Sequence, residues 1–123
     1  MTLNLTPERR IALQNDLFRM SVGMPIISPF DATGTVVVTR EIASLSYSEQ
    51  AKIINAVRCF DTFTLENDPW GEHDFGRIEL PGLNPVLWKI DIYDSSKMRF
   101  ASPAPEDPNA SFRVLTIMFA DQQ

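Results

Sequence analysis

The chain has 123 residues, 44% of them hydrophobic and 22% charged. That composition builds one globular domain with its own core and excludes both a disordered chain and two ordinary domains. The formal net charge is −5 and uneven: residues 1–60 carry six basic and five acidic residues, whereas residues 61–109 carry four basic and ten acidic, a balance of −6. No basic surface is concentrated enough to neutralise phosphates, so nucleic acid is not an expected partner.

In chain order, Thr6-Pro7-Glu8 opens a helix: Thr6 caps, Pro7 suits the first helical position, and Glu8 favours the positive end of the dipole. The spacing of Leu13, Leu17 and Met20, with Phe18 beside them, gives it an apolar stripe, and Gly23 is a stop. Residues 24–33, with Pro25, Pro29 and Asp31, read as an arm laid over the core. Gly34–Thr39 is short and β-branched, hence a strand. Ser46-Tyr47-Ser48-Glu49 matches a capping box and predicts a helix to about Phe60, with Ala51, Ile54 and Val57 on its apolar face and Ile53, Ala56 and Phe60 widening it.

Three strands follow. His73–Leu80 and Val86–Tyr93 flank the turn-rich Pro81-Gly82-Leu83-Asn84-Pro85 and form a hairpin. Phe112–Ala120 is nearly all apolar, as a central strand is. Between the last two, Pro103, Pro105 and Pro108 exclude continuous regular structure. The expected fold is a single α+β domain over 1–123, ordered α-β-α-β-β-β: two helices on a mainly antiparallel sheet of about four strands, with the core in 34–121.

Pairing Leu80 with Val86 puts Ile78, Trp88 and Ile90 on a core face. A register shifted by two does the same. The opposite face then carries His73, Arg77, Lys89, Asp91 and Tyr93. A histidine near an aspartate, with Lys89 or Arg113 to stabilise negative charge, is a candidate hydrolase site with His73 as base and Asp91 as its orienter. The competing reading is an exposed sheet face whose charges pair across strands.

The run Asn67-Asp68-Pro69-Trp70-Gly71-Glu72-His73-Asp74 packs carboxylates around the only histidine, but its spacing matches no metal signature. It reads as a structured turn in which Asp68, Glu72 and Asp74 accept backbone donors. No metal and no cofactor are expected. Cys59 is at the C-terminal end of a helix, where a buried structural thiol is the better reading than a nucleophile. It cannot form a disulfide within the chain. No apolar run has the length of a membrane span, and Met1–Arg10 lacks the pattern of a secretory leader. These features fit a reducing cytoplasm.

Three segments carry a family resemblance. The first runs from Phe60-Asp61-x-Phe63 into Asn67-Asp68-Pro69-x-Gly71-Glu72-His73-Asp74-Phe75-Gly76. The second is Trp88-Lys89-Ile90-Asp91-x-Tyr93-Asp94. The third joins Phe100-x-Ser102-Pro103 and Asp107-Pro108 to Arg113–Met118. With Val37–Arg40, they make the chain resemble a family of small bacterial plasmid-related proteins of unknown function, over roughly Gly34–Asp121. Met24–Phe30 looks like an addition to that pattern. The resemblance implies an accessory role on a mobile element, such as antagonising a host system. It also implies that Glu72, His73, Asp74, Lys89, Asp91 and Arg113 belong together, as a site or as a structural network. The leading expectation is a non-enzymatic module that binds a protein with a basic surface through its acidic half. The small hydrolase is the rival.

Overall fold

A computed structural model of the chain describes residues 5–22 and 33–122. Helix α1 spans Pro7–Met20, and the Thr6 hydroxyl accepts from the Arg9 amide at 3.2 Å. Strand β1 follows at Thr33–Val38, then a short helix α2 at Arg40–Ala43 that the sequence pattern did not announce. Helix α3 covers Tyr47–Arg58. Its capping box forms as expected, with the Glu49 amide donating to Ser46 Oγ and the Ser46 amide to Glu49 Oε1. Strands β2 (Phe75–Ile78), β3 (Val86–Tyr93) and β4 (Phe112–Phe119) complete the sheet. Apart from Thr33, the expected arm at 24–33 lies outside the described residues, as does the expected stop at Gly23.

The four strands are ordered β1-β4-β3-β2, with β4 inside the sheet as its apolar sequence requires. β2 with β3 and β3 with β4 are antiparallel, while β1 runs parallel to β4. The fold is therefore α+β with a mixed sheet. The hairpin takes the register shifted by two, Ile78 opposite Val86 and Gly76 opposite Trp88. β2 stops early, and Leu80 and Leu83 leave it to pack partly buried against the core. Alternation survives the shift because two residues restore the same face.

The helices cover one face of the sheet. Phe18, Ile42, Ile53 and Val57 meet Ile78, Val86, Trp88, Ile90, Leu115 and Ile117 there. Glycine makes two close approaches possible: a Cβ on Gly34 would run into the ring of Phe18, and one on Gly76 into the indole of Trp88. Trp88 is fully buried.

α1 departs from its expected stripe. Leu13 and Met20 are 40% and 53% exposed, and the helix instead buries Ile11, Ala12, Gln14, Asn15, Phe18 and Arg19. Three of these six are polar. They are buried because each has a hydrogen-bonding partner beneath the helix.

Candidate functional site

The polar side of α1 reaches three separate parts of the chain. Arg113 of β4 is fully buried; its Nε donates to Asn15 Oδ1 at 2.8 Å and its Nη2 to Gln14 Oε1 at 2.9 Å. The amides of the same two side chains donate onward, Asn15 to the Glu72 carbonyl at 2.9 Å and Gln14 to the Glu106 carbonyl at 2.7 Å. Arg19 donates to the Val57 and Arg58 carbonyls at the end of α3, and to Asp16 at 2.9 Å. A helix C-terminus leaves its last carbonyls unsatisfied and carries partial negative charge, so a guanidinium suits it. Burial pushes the Arg113 guanidinium down to about 10.

His73 closes this network. Its Nδ1 lies 3.0 Å from both carboxylate oxygens of Asp16, so this nitrogen carries the proton and donates. Its Nε2 lies 3.7 Å from Asp68 Oδ2, and its ring stacks on Phe63 at 3.8 Å between centroids and 3° between planes. Arg19 lies over both Phe63 and Trp88. The His73 side chain is only 18% exposed. Its backbone takes a left-handed φ of 54°, a strained conformation that persists only when the surroundings fix it. Asp68 fixes it: the carboxylate is buried and accepts the amides of Glu72 and His73.

The expected arrangement places His73 in β2, opposite Tyr93 and diagonal to Asp91. The strand begins two residues later, at Phe75, and the left-handed turn sends the imidazole to the helix side. Lys89, Asp91 and Tyr93 point to the other face. There they line a cleft of about 520 Å³ with Phe75, Leu87, Val114 and Met118. Lys89 Nζ sits 2.9 Å from Asp91 Oδ2, both half-exposed. Arg77 on the same face is exposed and pairs with Glu79 at 3.5 Å. The structure thus joins Asp68 to His73 and Lys89 to Asp91, and keeps the two pairs apart.

A third place lies where β3 runs past the end of β2. Glu72, Asp74 and Asp91 line a notch of about 300 Å³ with Ile90, Ile92 and Ser102. Partial burial, with the neighbouring carboxylates adding to it, raises Glu72 above the usual carboxylate range. Burial also raises Asp74, against its own backbone hydrogen bond. Among the described residues no three His, Cys, Asp or Glu side chains group as metal ligands. Likewise, no helix among them is long and apolar enough to cross a membrane.

Ahead of His73, the chain makes a turn tied at both ends. The Thr64 amide donates to Asn67 Oδ1 at 2.8 Å, Asn67 Nδ2 to the Thr62 carbonyl at 2.8 Å, and the Gly71 amide to the Asp68 carbonyl at 3.0 Å. On this turn Leu65 is 87% and Trp70 76% exposed.

A protein-family model of unknown function, DUF3768, matches residues 38–122. The chain belongs to the DUF3768 family. A search of curated proteins and a search of solved structures each find no match. In this DUF3768 protein, the match takes in His73, Asp68, Lys89, Asp91 and Arg113, while α1 lies outside it. Gln14, Asn15, Asp16 and Arg19, which hold the network together, escaped the sequence reading. Only the three-residue spacing of Asp16 and Arg19 hinted at a pair.

Proposed function

We propose that this protein is a non-enzymatic interaction module, of plasmid or mobile-element origin, that binds a protein with a basic surface. The observation that carries this reading is the turn from Thr64 to Gly71. A buried carboxylate and several hydrogen bonds hold it, yet it presents Trp70 and Leu65 to solvent. A large aromatic side chain exposed on a rigid support is the usual centre of a protein contact, because it buries area at little cost in side-chain entropy. Asp61 and Glu72 flank the turn in sequence, and Glu66 lies within it. They favour a partner whose apolar pocket has a lysine or arginine rim, and they oppose nucleic acid.

The alternative hydrolase using His73, Asp91 and Lys89 has less support. A base and its charge stabiliser must face one substrate space, and His73 does not line the cleft that Lys89 and Asp91 share. A cytoplasmic setting accords with the free thiol of Cys59, which is exposed at the C-cap of α3 rather than buried as expected.

Trp70→Ala tests the proposal. The variant should keep the wild-type melting temperature but lose a cellular partner captured by the wild-type protein, with affinity falling by about 2 kcal/mol or more. Capture undiminished by Trp70→Ala would remove the turn from the contact.

A further inference from the structure

The two edges of the sheet are built differently. β2, at one edge, has four residues; Arg77 is exposed there, and an exposed Glu79 and Pro81 follow. Short length, charge and proline each discourage a foreign strand from pairing. β1, at the other edge, has six residues, Thr33-Gly34-Thr35-Val36-Val37-Val38, without charge or proline. Val36 and Val37 are 37% and 45% exposed. No backbone group among the described residues bonds to the outer side of this strand.

We propose that β1 pairs antiparallel with β1 of a second copy of this chain, joining two four-stranded sheets into one of eight. An uncharged strand meets its own copy without like-charge repulsion, and β-branched residues suit both pleat faces. A two-fold axis perpendicular to the sheet keeps each residue on its own face. Directly opposed residues must therefore have numbers that add to an even total. Centring the axis on Val36 opposes Val36 to its counterpart on the helix-covered face, beside Leu115, and Val37 to Thr35 on the open face, beside Thr116. This contact is independent of the partner proposed for Trp70.

Sedimentation of the full chain should show a concentration-dependent dimer. Val36→Lys puts two ammonium groups together at the axis and should weaken dimerisation about tenfold or more. Cys59 is the only thiol, so Val36→Cys in a Cys59→Ser background gives a clean second measurement. It should form an intermolecular disulfide on mild oxidation, whereas Thr35→Cys, diagonal to its counterpart, should form far less. A wild-type chain that stays monomeric at all concentrations overturns the proposal, whatever other protein the edge then accepts. So does a dimer that Val36→Lys leaves unchanged, or cross-linking through position 35 in preference to 36. If Val36→Lys fails to fold, the cysteine pair decides.

Discussion

The two faces of one sheet treat the same kinds of side chain in opposite ways. Under the helices, Arg113 and Asp68 are buried, and each is held by fixed donors or acceptors. On the open face, Lys89 and Asp91 pair with each other and remain half in water. The difference shows that burial, not residue type, decides what a charged group contributes. A buried polar group must have its partners or its loss is expensive, whereas an exposed pair is screened and adds little.

The sharpest contrast should come from the core beneath both. Trp88→Ala removes the fully buried indole that packs edge-on to Phe60 and Phe63. It should cost about 3–5 kcal/mol, read as a lower denaturation midpoint. An unchanged midpoint would mean that the helix-covered face does not depend on this ring. Next comes Asn15→Ala, which strips a buried guanidinium of one acceptor and the Glu72 carbonyl of its donor. Urea unfolding should show a loss of about 2–3 kcal/mol. His73→Ala removes the stacking on Phe63 and the partner of Asp16, and should lower stability by about 1–2 kcal/mol. A folded, undiminished His73→Ala protein that had lost its cellular effect would instead revive the catalytic reading.

Smaller effects follow at the notch and on the open face. Folding raises the Asp74 carboxyl above its ordinary value, so the folded protein binds the proton more tightly. This carboxylate therefore weakens the fold above its raised folded value, and the penalty disappears as pH falls toward its unfolded value. Asp74→Asn should raise the melting temperature at neutral pH, and the gain should shrink on acidification through that window. A gain that grew with acid would reverse the assigned cause. Lys89→Met should change stability by less than about 0.5 kcal/mol, since its pair is solvent-screened. A larger loss in thermal unfolding would erase the distinction between the faces.

Local signals were legible in the sequence. Thr6-Pro7 marked the start of α1, Ser46 and Glu49 marked α3, and alternation from Val86 to Tyr93 separated the core side from the open side. What was not legible depends on contacts far along the chain. His73 meets Asp16 across 57 residues and Arg113 meets Asn15 across 98. Neither pairing leaves a periodic trace. Apolar spacing chose Leu13 and Met20 for the buried side of α1 because it cannot count polar residues that are buried with their partners. Strand alternation placed His73 among the β2 residues because nothing in it foretells a left-handed φ at a non-glycine. The parallel pairing of β1 with β4 was equally silent, since strand sequences do not record which neighbour lies alongside. Trp70 looked like an ordinary turn residue until its exposure was known.

The ties made by α1 all reach into the part of the chain that the family match covers. A chain cut to residues 38–122, the extent of the family match, would separate Arg113 from Asn15 and Gln14, His73 from Asp16, and the last carbonyls of α3 from Arg19. It would also lose β1 up to its last residue, baring the hydrogen-bonding side of β4. The segment that the family comparison outlines thus leaves out the partners of several of its own buried polar groups. Supplied as a separate peptide, α1 would carry the partners that those groups lack.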